Sequence, residues 1–277
     1  MKLPLNNLNY PVKILIGKSS GSGFLIGYEK KIYLVTAKHV IYQQDNATKN
    51  SVPFGDKIKI TCHTFVESGP KHKPIIYEIE LEKILSDNNL KFHSTADIVI
   101  IKLGFSDEKN ILNYVNGISK IQDAKGAVIH YPMDGSRKFN ELEITNDVFV
   151  LGYPVSLSTP EMKQINYDSP LVRKGIIAGK NYENKTVILD CPVYGGNSGG
   201  MVLEINLEKS LIHLIGVVVQ FIPFIDQWNN VRFPELYNSN FQNSGYSVAL
   251  PVDYIYDLRH KVHKSWLFKS VFDSLER

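Results

Sequence analysis

A chain of 277 residues, 43% of them apolar and 21% charged, is long enough for one large domain or two compact halves, each with its own core. A formal net charge of +3 is too small to imply a nucleic-acid partner, and basic pairs such as Lys30-Lys31 and Arg173-Lys174 read as solvated surface. The opening from Met1 to Asn7 lacks the continuous apolar stretch of a secretory leader, and no run approaches the ~18 apolar residues of a membrane-spanning helix. Cys62 and Cys191 are too few for a disulfide framework. The expectation is a cytoplasmic protein with free thiols and no membrane partner.

Period-two patterns dominate from the start. Val12, Ile14 and Ile16 open the series, and Ile58, Ile60 and Cys62 alternate with Lys57, Lys59 and Thr61. Tyr77, Ile79 and Leu81 alternate in the same way with Glu78, Glu80 and Glu82. The run Asp97 to Leu103 is apolar on both sides, as a strand covered on both faces would be. Phe105 to Thr145 is the least regular stretch, with Gly117, Gly126, Pro132 and Gly135, and is the candidate connection between halves 1–135 and 136–277. A second series follows at Val148–Leu151, Leu171–Ala178, Thr186–Pro192, Gly200–Ile205, Leu211–Val219 and Tyr246–Pro251. Many short strands at this spacing predict an all-β barrel or sandwich. Past Pro251, helical spacing of Ile255, Leu258 and Val262, then of Phe268, Phe272 and Leu275, predicts a C-terminal helix against the last barrel, broken near Lys264.

Three segments carry chemistry. Gly21-Ser22-Gly23-Phe24 leads into a strand ending Thr36-Ala37-Lys38-His39-Val40; Ala96-Asp97-Ile98-Val99-Ile100-Ile101-Lys102 follows; Gly195-Gly196-Asn197-Ser198-Gly199-Gly200 comes last. A serine hydroxyl becomes a useful nucleophile when a neighbouring base takes its proton. An imidazole titrates near neutrality, so it can accept that proton and return it to a leaving amine. A carboxylate behind the ring fixes its tautomer and stabilises the imidazolium. Glycines around the serine let successive amides converge on one developing negative charge. The chain order His, Asp, Ser is that of chymotrypsin.

Taken together these segments resemble the trypsin-like, chymotrypsin-fold serine proteases, in the style of the bacterial high-temperature-requirement proteases. Weaker echoes fall in order at Leu151-Gly152-Tyr153-Pro154, Arg173-Lys174-Gly175-Ile176-Ile177, Ile215-Gly216-Val217 and Ala249-Leu250-Pro251-Val252. The resemblance implies two six-stranded antiparallel Greek-key β-barrels with a C-terminal helix, the first carrying His39 and Asp97 and the second Ser198. It implies Ser198 as nucleophile, His39 as general base and Asp97 as orienting carboxylate. Gly196, Asn197 and Ser198 would form the oxyanion loop, with the amides of Gly196 and Ser198 as donors. The implied activity is endopeptidase cleavage through an acyl-enzyme without a cofactor, on protein or peptide substrates. The alternative is a catalytically silent or latent protease-fold scaffold that binds peptides and needs a partner to become active.

Departures from the family pattern refine this. No cysteine stands directly after His39, where secreted relatives carry one, and Asn197 stands where those relatives carry the aspartate that pairs with a newly cut amino terminus. Activity without amino-terminal cleavage is therefore expected. The chain ends soon after Pro251, too soon for a PDZ domain. Regulation is then expected from a separate partner chain or from the insertions Gln43–Pro74 and Phe105–Thr145, and a role in a bacterial stress or defence module follows by family analogy. Pro192, Val218, Val219, Gln220 and Ser247 are the expected walls of the first specificity pocket, uncharged and suited to aliphatic or aromatic residues.

Other motifs are set aside. Gly17-Lys18-Ser19 resembles the end of a phosphate-binding loop, but Val12 replaces its first glycine and a strand follows. His260 and His263 have helical spacing without a carboxylate or cysteine in register, so no metal is expected. Cys62 falls on an apolar strand face and reads as a core thiol. Cys191, near the serine loop, is given a structural role.

Overall fold

The computed structural model describes residues 3–45, 50–62, 74–106, 112–123, 128–154, 166–206, 211–229 and 237–260. In the first half the strands are β1 Pro11–Ile16, β2 Ser19–Tyr28, β3 Lys31–Thr36, β4 Tyr42–Gln44, β5 Ser51–Pro53, β6 Lys57–Cys62 and β7 Ile75–Glu80. They continue with β8 Leu90–Phe92, β9 Val99–Ser106, β10 Leu112–Tyr114, β11 Ile118–Gln122 and β12 Tyr131–Pro132. The second half holds β13 Asp147–Gly152, β14 Leu171–Asn181, β15 Thr186–Asp190, β16 Met201–Asn206, β17 Leu211–Asn229 and β18 Tyr237–Pro251. Among the described residues three α-helices accompany them: α1 Lys38–Ile41, α2 Leu81–Ser86 and α3 Asp253–His260.

β13, β14, β15, β18, β17 and β16 close into a six-stranded antiparallel barrel. The first half is a curled ten-stranded sheet along the path β10-β9-β3-β2-β1-β6-β7-β11, with β8 on β9 and β12 on β2. This is the chymotrypsin-like fold expected from the sequence; the second barrel has the six strands expected, whereas the first half is a curled sheet of ten. The stretch read as a connection does more than connect. Its strand β10 extends β9 and its strand β11 extends β7. Hydrogen bonds from Val115 N to Leu103 O (3.0 Å) and from Glu80 N to Gly117 O (2.8 Å) tie the segment to both strands. Gly117 makes the turn between β10 and β11 at φ +86°.

Three clusters of buried side chains explain the alternation. One fills the first sheet and includes Leu25, Leu34, Val99 and Ile101. Another fills the closed barrel and includes Val148, Val150, Val202 and Val218. The third lies between them and takes the intervening residues: Phe24, Val35, Ile98 and Ile100 from one side, Phe149, Leu151, Met201 and Leu203 from the other. Successive side chains of a strand point to opposite faces, so a strand at this seam must be apolar at every position. That is why the start of β9, Val99 to Ile101, is apolar at every position before Lys102 breaks the run.

Two local expectations are corrected. The alternation through Tyr77 and Ile79 ends as strand at Glu80, and Leu81 begins α2, burying Leu81 and Ile84 at helical spacing. The C-terminal helix is present as α3, but Ile255 and Leu258 pack into the seam between the halves as well as against the last barrel. The segment containing Val262, Phe268, Phe272 and Leu275 lies outside the described residues. Among the described residues no helix is long and apolar enough to cross a membrane.

Candidate active site

β3 ends at Thr36, and the chain turns through Ala37 into the short helix α1, which carries His39. Asp97 stands just ahead of β9 and meets this turn at three points. Lys38 N donates to the Asp97 carbonyl (3.3 Å), and His39 N donates to Asp97 Oδ1 (3.0 Å). The ring atom His39 Nδ1 lies 2.5 Å from Asp97 Oδ2. An ionised carboxylate only accepts, so the ring proton belongs on Nδ1 and the lone pair on Nε2. The same carboxylate holds the amide and the ring of one residue, which fixes the imidazole in position as well as in tautomer.

Ser198 sits between two tight turns. Asn197 N donates to Tyr194 O (3.0 Å) across a turn whose third residue, Gly196, has φ +90°. Gly200 N donates to Asn197 O (2.8 Å) across the next, whose third residue, Gly199, has φ +83°. Both positions demand the left-handed backbone that glycine adopts without strain. A Cβ on Gly199 would run into the carbonyl of Ser22 and the hydroxyl of Thr36, and would lie 3.1 Å from Ala37 N. The serine turn therefore presses on the residues that lead into His39.

Ser22, wholly buried in β2, ties the two halves together. Its hydroxyl donates to Gly196 O (2.7 Å) and accepts from Tyr153 N (2.7 Å). Its amide donates to Ser198 O (2.9 Å), and its carbonyl accepts from Thr36 Oγ1 (2.7 Å). From the barrel side, Gly199 N donates to Val218 O (2.7 Å) and Val218 N donates to Gly200 O (2.9 Å). The backbone of the serine turn is thus held from both halves.

Three polar groups of the turn are left over. Among the described residues the amides of Gly196 and Ser198 have no acceptor within the protein, and buried Asn197 Oδ1 has no hydrogen-bond partner. The Ser198 hydroxyl donates to Val219 O at 3.4 Å, and no hydrogen bond joins it to the imidazole of His39.

The residues expected to wall a specificity pocket divide. Pro192 and Val219 are half-buried, with Val219 O in contact with the Ser198 hydroxyl, and Gln220 is exposed. Val218 packs into the interior of the barrel. Ser247 is wholly buried, its hydroxyl donating to Cys191 O (2.9 Å). Both cysteines are free and buried. Burial pushes the Cys62 thiol up to about 12 and the Cys191 thiol up to about 11, so neither is a ready thiolate.

Sequence reading passed over Ser22 and Thr36 as individual actors. The available signal was a lone hydroxyl between two glycines in an apolar strand, and another where the next strand ends. It passed over His93 as well, which lies four residues before Asp97 and is buried.

No curated protein matches the chain. Solved structures of similar shape include the HtrA-type protease AlgW with a tripeptide, at 14% identity and TM-score 0.48 over 91% of this chain and 59% of that one. The Rv3671c protease of M. tuberculosis in an inactive form is similar at 14% identity and TM-score 0.44, over 91% and 87% of the two chains. Deg5 is similar at 18% identity and TM-score 0.43, over 91% and 88%. The chain spans about three fifths of the length of AlgW. The trypsin-like peptidase domain family matches directly over residues 21–212, which takes in the His39 turn, Asp97 and the Ser198 loop. That match covers well over half of the sequence, and the chain belongs to the family of trypsin-like peptidase domains.

Proposed function

We propose that the protein is a serine endopeptidase with Ser198 as nucleophile, His39 as general base and Asp97 as orienting carboxylate. The observation that carries this reading is the two-point grip of Asp97 on His39 beside a serine turn with unused amides. For reaction the Ser198 hydroxyl leaves its long contact with Val219 O for the lone pair on His39 Nε2. Oγ then bonds to the scissile carbonyl carbon while its proton passes to Nε2. The amides of Gly196 and Ser198 receive the oxygen that becomes negative, a contribution of about 10²–10³ in rate per donor. Collapse breaks the C–N bond, His39 gives its proton to the departing amine, and water repeats the sequence to free the acid.

The substrate binds as an extended strand. β16 leaves β17 after Val217, so from Val219 outward one edge of β17 is open among the described residues. A peptide pairing antiparallel to that edge runs toward Ser198, with residues amino-terminal to the cut lying along β17. The side chain at the cut faces an uncharged surface near Pro192 and Val219, which suits aliphatic or aromatic residues. The setting proposed is intracellular, with one or a few partner proteins cut at limited positions; two free, buried thiols support it.

The test is labelling by a fluorophosphonate probe and hydrolysis of a peptide library, each compared with Ser198→Ala. Labelling and turnover lost in the variant are expected, with a fall of about 10⁶ in kcat. Labelling of the variant equal to that of the wild type would refute the assignment.

A second reading, a latent protease awaiting a partner, is favoured by the Ser198 hydroxyl resting on Val219 O and by the unmet Asn197 Oδ1. Under that reading the unmixed protein takes no probe, and labelling arises on addition of the partner.

A further inference from the structure

We infer that His93 is a positioning residue for the catalytic carboxylate, holding the Asp97 loop from beneath and tying it to the C-terminal helix. The inference rests on the proposed role of Asp97. Residues Ser94 and Thr95 are exposed and Ala96 and Asp97 half-exposed, so the loop has little packing of its own. Its order comes from its base. His93 N donates to Ile98 O (3.0 Å), closing the loop, and Ile98 N donates to Ala96 O (2.8 Å) within it.

Inside that closure the His93 ring is the acceptor. Nδ1 takes the amide of Ala96 at 2.9 Å and the amide of Thr95 at 3.2 Å, with Thr95 Oγ1 at 3.4 Å. Two backbone N–H groups converging on Nδ1 require a lone pair there, so the ring proton is on Nε2. Nε2 faces Asp257 Oδ2 of α3 at 3.7 Å, and Tyr254 of the same helix meets the ring edge to face at 4.9 Å between centroids. The side chain of His93 is 7% exposed, that of Asp257 49%. A buried imidazole thus replaces the acceptors that solvent would otherwise supply to the loop, while α3 packs against the ring through Tyr254 and Asp257.

The consequence reaches His39. Ala96 is the residue before Asp97, so its amide anchors the peptide that aims the carboxylate. A small displacement of that carboxylate loosens its hold on His39 Nδ1. Misplacing a catalytic group by about 1 Å costs on the order of a hundredfold in rate.

The test compares two amides of the same chemistry and different reach. His93→Asn sets an acceptor where Nδ1 stands. His93→Gln carries it one bond further, toward Nε2, and leaves the Thr95 and Ala96 amides unmet. The asparagine variant is expected to keep kcat within about threefold of wild type, and the glutamine variant to lose about ten- to a hundredfold with KM within twofold. In the glutamine variant the proton NMR signal of His39 Nδ1–H, which Asp97 Oδ2 holds at 2.5 Å, moves upfield as that hydrogen bond loosens. A glutamine variant as active as the asparagine variant, with that signal unmoved, overturns the inference. The signal reads the same support without turnover. If the wild type hydrolyses nothing, the endopeptidase reading falls, while a displaced Nδ1–H signal in the glutamine variant alone still upholds His93 in this role and an unmoved signal rejects it.

Discussion

The same two strands, β17 and β18, are built in two ways along their length. Inside the barrel, Val217, Val218, Ala249 and Leu250 are buried, and the serine turn hydrogen-bonds to the Val218 carbonyl and amide. Beyond the barrel the pair continues as a two-stranded arm from Pro223↔Asn243 to Asn229↔Tyr237. There Phe224 is 56% exposed, Trp228 68% and Phe241 66%. Burial enforces the barrel portion, whereas only the ladder and local side-chain pairs hold the arm, and a lone two-stranded ribbon is marginal in water. The difference separates what sets the reactive geometry from what is left to meet another molecule.

Three substitutions break or sharpen that contrast. The largest effect belongs to Gly199→Ala in the serine turn. A side chain there combines a left-handed backbone with collision against Ser22 O and Thr36 Oγ1, and a loss of more than about 4 kcal/mol is expected in denaturant unfolding. A variant as stable as wild type would show that the halves are not clamped at this point. Next comes Ser22→Ala, which strips the acceptor from Tyr153 N and the donor from Gly196 O in a buried site. About 2–3 kcal/mol of stability should go, read from the denaturation midpoint, together with part of the fluorophosphonate reactivity. The smallest thermodynamic effect falls on the arm. Trp228→Ser should change stability by no more than about 0.5 kcal/mol, because the side chain packs on little. KM should rise for peptides extended on the amino-terminal side of the cut and stay constant for short ones. Equal KM values for both would remove the arm from substrate contact.

Much of the fold was legible because the seam imposes a rule on sequence. β9 and β13 alternate between two buried clusters, so their apolar runs could be read directly. The arm was not legible. Irregularities between Val218 and Gln220 and between Phe221 and Pro223 shift the register, and Pro223 argues against a strand interior. β11 escaped for the opposite reason: its residues Ser119, Lys120 and Ile121 are exposed, so no burial shaped their pattern. In the site, His39, Asp97 and Ser198 were nameable because each sits in a short segment of unusual composition. Ser22 and His93 make several hydrogen bonds to backbone in distant or irregular segments, and a serine in a strand or a histidine before a loop carries no periodicity that marks such contacts.

The cluster of side chains between the sheets has a consequence for how the protein comes into being. Phe24, Ile98 and Ile100 share one buried cluster with Leu151, Met201 and Leu203, so each half has an interior of its own and a second apolar face that the other half covers. A nascent or severed half is expected to expose that face, the kind of surface that draws chaperones and invites aggregation. A cut between the halves that lets them drift apart would also release the serine turn from Ser22, so the seam that hides this face is the seam that holds the turn in place.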